Sequence, residues 1–290
     1  MKFDKNTKIL IVGLGLIGGS YAKALSDEGY FVGAIDKKKS SVEYALKNGL
    51  IQVGETSVKK DFVKDFDLIV FALYPHDFIN WINENQSSIK SGALITDVTG
   101  VKTFVVENVQ KILRDDLEFV GAHPMAGKEV SGVENADPKI FVGANYIVTP
   151  TKKNTDENVQ AVKDLGRALG FERISSLSPE EHDETVGFLS HLTHCIAVSL
   201  MVSKKSHHLA EYTGDSFRDL TRIAKINDEM WSELFLANKD ELLKQMDLFE
   251  EKFNQLKEDI KNDNREKIRE TLRESTARRK VFDKDAKETK

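Results

Sequence analysis

The chain has 290 residues, a formal net charge of −5 and a hydrophobic content of 40%. This length suits one large domain or two modest ones, and the charge offers no basic surface for nucleic acid. Cys195 is the single cysteine, so no internal disulfide can form, which suits a reducing compartment. The N-terminal region lacks the pattern of a signal peptide or a membrane span, so we predict a cytoplasmic protein without nucleic-acid or membrane partners.

The first predicted elements are a strand, a glycine-rich turn and a helix. Residues 9–12 are an apolar, β-branched-rich run, which is typical of a strand buried on both faces. Gly13 lets the chain turn sharply, Gly15 lets the backbone approach a pyrophosphate, and Gly18 lets the helix pack against the sheet. The pattern predicts a dinucleotide site, although a plain strand–helix turn can carry the same glycines for packing alone.

The cofactor is predicted from the start of this helix and from an acid. The N–H groups of Leu16 and Ile17 lie where a helix N-terminus binds phosphates. Asp36 follows a second apolar run, residues 30–35, where a carboxylate accepts hydrogen bonds from both ribose hydroxyls. Its charge opposes the extra phosphate of NADP, so we predict NAD. Three lysines at 37–39 are able to hold that phosphate, which leaves NADP open.

Strands and helices alternate further along the chain. Strands are predicted at 51–53, 67–72, 93–97, 119–122, 146–150 and 171–174. One helix is predicted to end at residue 47 and another to begin after residue 75, and two more cover 101–113 and 156–169. The alternation predicts an α/β N-terminal domain with a Rossmann-type, doubly wound parallel sheet. Ligands of such sheets bind beyond the carboxyl ends of the strands, which draws attention to Asp36, Leu73, Thr99, Gly100 and His123.

Helices alone are predicted after about residue 175. Ser178, Pro179 and Glu181 predict the start of a long helix, about 180–205, whose apolar girth suits burial or a subunit interface. A later stripe recurs at steps of three and four and suits a core or dimer seam: Leu242, Met246, Phe249, Phe253 and Leu256. The charged tail, 262–290, is expected to end as an exposed helix that frays. We therefore predict a nucleotide-binding domain, 1–175, and an all-α dimerisation domain, 176–290.

Two candidate residues follow strand ends. Pro124 holds His123 in an extended conformation at a strand end, where a histidine can act as a general base. A histidine bonded locally in a loop gives the same pattern. Thr99, between a strand and a helix, either donates to a substrate hydroxyl or caps the helix.

Two further candidates lie in the helical part. His191 and His194 are three residues apart and share a helix face, which favours a polar pair lining a cleft. A zinc site needs a further ligand that the sequence does not nominate, so no metal is predicted. Arg222 lies in an apolar helical context and suits a carboxylate clamp, although an ordinary helix salt bridge fits as well.

Taken together, these segments resemble the prephenate/arogenate dehydrogenase family of tyrosine biosynthesis. The resemblance covers nearly the whole chain in a specific order and spacing. It includes the glycine turn, the segment 97–102, the run His123-Pro124-Met125-Ala126-Gly127 with Glu129, the run Ser190-His191-Leu192-Thr193-His194, and the run Thr221-Arg222-Ile223-Ala224 followed by Trp231.

The resemblance implies NAD-dependent oxidative decarboxylation of prephenate by a homodimer joined through its helical domain. It also implies that His123 interacts with the ring hydroxyl, that Arg222 binds a carboxylate, and that Glu129 and His194 shape the pocket. Many relatives carry a serine at the position of Gly100. If that serine helps to bind the ring hydroxyl, then in this chain either Thr99 replaces it or His123 binds the hydroxyl alone.

Three other functions remain open from the sequence. Arogenate differs from prephenate by an amino group in place of a keto group, and no residue decides between them. A hydroxyacid dehydrogenase commonly uses a lysine on a long helix, whereas this helix has Lys204 and Lys205 only at its far end. A non-catalytic nucleotide sensor on the same fold has no need for His123 and Arg222 together.

Overall fold

The computed structural model describes residues 1–205 and 208–282. They fall into two compact units, Met1–Lys239 and a second unit that begins at Asp240. The strands are β1 Lys8–Val12, β2 Phe31–Ile35, β3 Val53–Glu55, β4 Leu68–Phe71, β5 Leu94–Asp97, β6 Glu118–Phe119, β7 Gly121–Pro124, β8 Asn145–Thr149 and β9 Arg173–Ser176. The helices are α1 Leu16–Asp27, α2 Lys39–Lys47, α3 Lys60–Val63, α4 Pro75–Asn85, α5 Thr103–Ile112, α6 Asp156–Ala168, α7 Pro179–Val186, α8 Thr193–Val202, α9 Asp215–Thr221, α10 Asp228–Ala237, α11 Lys239–Lys261 and α12 Arg265–Arg279.

Six parallel strands form the main sheet, in the order β3-β2-β1-β4-β5-β6. Successive residues of β1 point to opposite faces: Ile9 and Ile11 pack into one hydrophobic core, and Leu10 and Val12 into the other. Burial on both faces explains the continuous apolar run of this strand. The strand order is that of a dinucleotide-binding sheet, with its switch point between β1 and β4, and it confirms the predicted fold class.

Two strands predicted for this sheet, 146–150 and 171–174, and the second half of a third, 119–122, lie in a separate sheet. Strand β8 pairs antiparallel with β7 and parallel with β9, in a separate three-stranded sheet. The chain leaves the main sheet around Val120, whose N–H still donates to Ile95 of β5. A Cβ on Gly121 would lie 2.5 Å from Oγ1 of Thr149, so glycine permits the close approach of β7 to β8. The prediction that all these strands belong to one sheet was therefore wrong.

The predicted long helix is present but interrupted. Its predicted capping box is formed, since Ser178 Oγ accepts from the N–H of Glu181 at 3.1 Å and the Glu181 carboxylate accepts from the N–H of Ser178 at 2.8 Å. A π-helical turn, Gly187–Leu192, separates α7 from α8, and the helix ends at Val202 rather than Lys205. In a regular α-helix His182 and His194 would face about 120° apart. The π-helical turn between them changes this angle, because its turns are wider than those of an α-helix.

The segment Pro179–Val202 also has the length and apolar composition of a membrane span, with 28% of its apolar window buried in this chain. A helix of a soluble protein meets the same criterion. Phe188 and Leu189 are half exposed in the isolated chain, and Val202 is largely exposed. The helix therefore exposes several apolar side chains in the isolated chain.

The second unit consists of α11 from Asp240 onward, α12 and a short 3-10 turn. The predicted apolar stripe lies on α11, where Met246 and Phe249 are each 39% exposed and Phe253 is 59% exposed. Helix α12 confirms a helix within the charged tail, and the part of that tail at 283–290 lies outside the described residues. Within one chain, Met246, Phe249 and Phe253 of the stripe are exposed, whereas Leu242 is buried.

Candidate active site

The three glycines of the first turn differ in the space available for a side chain. Gly13 has φ +98°, and a Cβ there would lie 2.5 Å from the carbonyl oxygen of Ala72. A Cβ on Gly18 would lie 2.0 Å from the carbonyl oxygen of Gly13, which only glycine avoids. A Cβ on Gly15 would meet nothing within 4 Å, so the space above this residue is open. Gly13 and Gly18 are therefore needed for the turn itself, and Gly15 borders open space.

The start of α1 is suited to an anion. Gly15 is the N-cap and provides no side-chain cap, and hydrogen bonding begins with Gly19 N to Gly15 O at 2.9 Å. The N–H groups of Leu16 and Ile17 precede that bond and lie at the positive end of the helix. Leu73, just after β4, lies beside this turn, with Cδ2 2.9 Å from the position of a Cβ on Gly13.

Asp36 lies at the end of β2, next to the glycine turn. One carboxylate oxygen accepts from the backbone N–H of Leu14 at 2.6 Å, and the other from that of Lys38 at 2.7 Å. These bonds fix the carboxylate at the rim of the site while each oxygen keeps a lone pair free. Lys37, Lys38 and Lys39 are exposed beside it. The geometry of the glycine turn, the helix start and Asp36 fits a dinucleotide.

A buried ion pair lies under the end of β5. The Asp97 carboxylate accepts hydrogen bonds from Lys102 Nζ, from the Thr99 hydroxyl and, at 3.0 Å, from the N–H of Ala122. Asp97 and Lys102 are both fully buried, and burial lowers the pKa of Lys102 against the opposing effect of Asp97. The pair ties the end of β5 to β7.

Thr99 belongs to this network. Its side chain is 4% exposed, and its hydroxyl is within hydrogen-bond distance of Asp97, of Lys102 Nζ at 3.0 Å and of the Val101 carbonyl at 3.0 Å. The single hydroxyl proton is engaged inside the protein. Contact between Thr99 and a substrate stays a prediction, and this arrangement does not favour it.

His123 lies in β7, partly buried, next to two side chains that are distant in sequence. Its Nδ1 is 2.9 Å from Nε2 of His182, and Nδ1 of His182 is 2.7 Å from the Asp183 carboxylate. Burial, His182, Lys102 and His191 lower the pKa of His123 well below the usual range of histidine. The ring is therefore neutral near pH 7 and able to accept a proton.

Gly100 lies against His123. A Cβ on Gly100 would be 3.8 Å from Cε1 of His123 and 3.6 Å from the Leu234 side chain, both ordinary contact distances. A serine here would thus fit beside the histidine ring. In this chain the position contributes only backbone.

Glu129, Arg222 and His194 form a second group. Arg222 Nη1 pairs with the Glu129 carboxylate, 93 positions away, so its partner is not a neighbour on its own helix. The pKa of His194 is lowered mainly by burial; the charge of Glu129 raises it and that of Arg222 lowers it. The His194 ring stacks on Trp231 with centroids 3.7 Å apart. Arg222 is 65% exposed and therefore accessible to an anion.

Helix α10 connects the two groups. Leu234 of this helix lies against Gly100, next to His123. Trp231, one turn earlier, stacks on the His194 ring.

Sequence reasoning named His123, Arg222, Glu129 and His194 but missed His182 and Asp183. Both lie among exposed acids in the first turns of α7, where no periodic pattern indicates that they are buried. In the described part of the chain, no group of three His, Cys, Asp or Glu side chains is arranged to bind a metal ion.

The sheet order, the glycine turn at its switch point and Asp36 beside that turn define a dinucleotide-binding protein of the Rossmann class. Two family models cover most of the chain: prephenate dehydrogenase, nucleotide-binding domain, matches residues 21–173, and prephenate dehydrogenase, dimerization domain, matches residues 178–274. The chain belongs to the prephenate dehydrogenase family, as its sequence motifs predict.

Several characterised or solved proteins are similar to it. Prephenate dehydrogenase of Bacillus subtilis is 35% identical over 82% of this chain, and the chain spans 66% of that protein's length. Prephenate dehydrogenase of Aquifex aeolicus, solved with hydroxyphenyl propionate and NAD+, has a TM-score of 0.87, with 34% identity over 96% of this chain and 98% of that one. Synechocystis arogenate dehydrogenase has a TM-score of 0.82, with 25% identity over 96% of this chain and 100% of that one.

Proposed function

We propose that this chain is an NAD-dependent prephenate dehydrogenase, which converts prephenate to 4-hydroxyphenylpyruvate, carbon dioxide and NADH in tyrosine biosynthesis. The observation that best supports this proposal is the state of His123, a neutral, partly buried histidine in β7 whose Nδ1 is hydrogen-bonded to His182. Within residues 1–205 and 208–282, its Nε2 has no hydrogen-bond partner. Family membership and the Aquifex complex with hydroxyphenyl propionate and NAD+ support the proposal.

The reaction needs a base, which His123 supplies. Prephenate is a cyclohexadienol with a ring carboxylate and a pyruvyl side chain. Nε2 of His123 accepts the proton of the ring hydroxyl, and the carbon that bears this hydroxyl loses its hydrogen as hydride. When bound, NAD+ supplies the acceptor for that hydride. The ring carboxylate leaves as carbon dioxide, its bonding electrons make the ring aromatic, and the phenolate oxygen takes the proton back from His123.

The surrounding buried charges keep the base in its active form. Lys102 holds a positive charge near His123, which opposes protonation of the imidazole in the resting enzyme. Thr99 and Asp97 hold Lys102 in place. Thr99 thus acts on the site through Lys102, and the ring hydroxyl is bound by His123.

The second group binds the acidic part of the substrate. Arg222 is exposed, and its planar guanidinium can form two parallel hydrogen bonds with a carboxylate. Glu129 orients the guanidinium before the substrate arrives. His194, stacked on Trp231, forms the wall of the pocket beside them.

The cofactor is NAD rather than NADP. The Asp36 carboxylate, held at the rim by two backbone N–H groups, can accept hydrogen bonds from the ribose hydroxyls and repels a phosphate at the same place. Gly15, Leu16 and Ile17 bind the pyrophosphate through the backbone, and Leu73 packs beside them.

We further propose that residues 1–175 bind the nucleotide and that residues 176–290 form a homodimer in the cytoplasm. The exposed apolar residues of Pro179–Val202 provide one contact surface for the partner subunit, and those of α11 provide another. The description of the second family model, a dimerization domain at 178–274, supports this assignment.

The function is tested by absorbance at the NADH band, with purified protein and four mixtures: prephenate or arogenate, each with NAD+ or NADP+. A rise with prephenate and NAD+ that exceeds the other three is expected. If absorbance rises in none of the four mixtures, although calorimetry shows that the protein binds NAD+, the proposal is contradicted. A hydroxyacid dehydrogenase or a nucleotide sensor is then favoured.

Arogenate dehydrogenase is the second candidate. The likeness to the Synechocystis arogenate dehydrogenase, which extends over the full length of that chain, favours it. The two substrates share the ring at which His123 acts, so the mechanism would be unchanged. A rise with arogenate alone in the same assay would establish this alternative.

A further inference from the structure

His182 and Asp183, which have no role in the function proposed above, form a buried hydrogen-bond chain with His123. His182 is 0% exposed and Asp183 is 2% exposed. Asp183 Oδ1 lies 2.7 Å from His182 Nδ1, and His182 Nε2 lies 2.9 Å from His123 Nδ1. The chain therefore leads from a carboxylate, through one imidazole, to the ring that meets the substrate.

The direction of each hydrogen bond follows from the carboxylate. An ionised Asp183 can only accept, so Nδ1 of His182 must donate to it. A neutral His182 then has a lone pair at Nε2, which must accept from Nδ1 of His123. A neutral His123 that donates through Nδ1 keeps its lone pair at Nε2. This is the nitrogen that the proposed base must leave unprotonated.

The anchoring of Asp183 supports its ionised form. Its two oxygens accept from the N–H groups of Lys102 and Thr103, each at 2.8 Å, at the N-terminus of α5. The Asn238 side chain donates to its backbone carbonyl at 2.9 Å. Burial raises the pKa of Asp183, but His182 and the two N–H groups outweigh burial and lower the pKa below its usual range.

We propose that His182 and Asp183 are positioning residues that hold His123 in the tautomer protonated at Nδ1. The proposal rests on the proposed function, since it explains how His123 is prepared to take a proton. When His123 accepts the substrate proton at Nε2, His182 continues to accept from Nδ1, and Asp183 balances the new charge. Without His182, the imidazole of His123 is free to carry its proton at Nε2, where it cannot act as a base.

A purely structural role for His182 makes a different prediction. Asp183 caps α5 through two N–H groups, so His182 could serve only to hold that carboxylate in place. The two roles use opposite sides of the His182 ring. Nδ1 faces Asp183, and Nε2 faces His123.

Two amide variants separate these sides. In His182→Asn the amide overlays Nδ1 and keeps a donor for Asp183 but no longer reaches His123. In His182→Gln the amide overlays Nε2 and keeps an acceptor for His123. We expect kcat to fall about 100-fold or more in His182→Asn, with substrate and NAD+ KM nearly unchanged, and to recover largely in His182→Gln. An active Asn variant beside an inactive Gln variant would overturn the proposal.

The tautomer itself is measured by 15N NMR of histidine-labelled protein, with His123 assigned from the spectrum of His123→Asn. We expect Nδ1 of His123 to be protonated in the wild type and its proton to shift partly to Nε2 in His182→Asn. Wild-type protein protonated at Nε2 would refute the proposal. Because this measurement needs no turnover, it is independent of the assay that tests prephenate and arogenate.

Discussion

The Asp36 carboxylate accepts a hydrogen bond of 2.6 Å from the backbone N–H of Leu14, inside the glycine turn. The acid expected to bind the ribose therefore also holds the turn that receives the pyrophosphate. The carboxylate has two separable properties, its negative charge and its capacity to accept from Leu14. An asparagine keeps the second and loses the first.

Asp36→Asn should improve the use of NADP relative to NAD, because it removes the charge that opposes the extra phosphate. Asp36→Ala should weaken the binding of both cofactors, because it also frees Leu14. The measurement is kcat/KM for NAD+ and NADP+, with Asp27→Asn, on the exposed face of α1, as a control. A wild-type enzyme that already prefers NADP would contradict our interpretation of Asp36.

Gly15→Ala should weaken NAD+ binding, whereas Gly18→Ala should lower the stability of the fold. A Cβ on Gly15 meets nothing within 4 Å, so this variant should keep its unfolding midpoint and lose NAD+ affinity by about 10-fold. A Cβ on Gly18 would lie 2.0 Å from the Gly13 carbonyl oxygen, so that variant should lose about 1–3 kcal/mol of stability. Urea unfolding and calorimetric titration with NAD+ distinguish the two. Equal NAD+ affinity of Gly15→Ala and the wild type would refute the close approach of a pyrophosphate.

His123→Asn should lower kcat by about 10²- to 10⁴-fold, because the substrate hydroxyl loses its base. NAD+ affinity should stay nearly unchanged, because the dinucleotide is bound by the turn after β1. Steady-state kinetics and cofactor titration on the same preparation provide the test. Unchanged turnover would remove His123 as the base.

Arg222→Ala should raise KM for prephenate by about 10- to 100-fold, since a charge-assisted hydrogen bond to a carboxylate contributes about 1.5–3 kcal/mol. The KM for NAD+ should change little. Arg218→Ala is the matched control, because Arg218 lies on the adjacent α9 and pairs with Asp215. An equal rise in both constants of the Arg222 variant would dismiss the clamp.

Stability should decrease in mild acid through His191. Its side chain is 1% exposed, and burial lowers its pKa to about 4, with the opposing effect of Asp183 and supporting effects of His182 and His194. Below the unfolded pKa of about 6.5 the unfolded chain binds a proton that the folded one does not, so stability falls as the pH falls. The expected loss from this group is about 2 kcal/mol between pH 7.5 and 5.

The check is urea unfolding of the wild type and of His191→Gln at pH 7.5 and 5.0. The variant should show a smaller loss of unfolding free energy between the two pH values, because it has no imidazole at this position to protonate. An identical loss in both proteins would show that His191 contributes nothing to acid sensitivity.

Local patterns predicted the first half of the site well. The strand at residues 9–12, the glycine turn and Asp36 lie within 30 residues of one another, and each has a chemical requirement that depends on its immediate neighbours. The capping box at Ser178 and Glu181 is equally local, and the structure forms it. The sequence motifs also identified the family, because their order along the chain is itself specific.

Contacts between distant segments decided the rest. No local pattern indicates that His182 meets His123, 59 positions earlier, or that Arg222 pairs with Glu129, 93 positions away. The start of α5 is held by Asp183 from another helix, and β7 pairs closely with β8 at Gly121, where a Cβ would meet Thr149. Turns, caps and buried strands are determined by nearest neighbours along the chain. The protonation and orientation of a base depend on which side chains fold against it, and only the tertiary structure decides that.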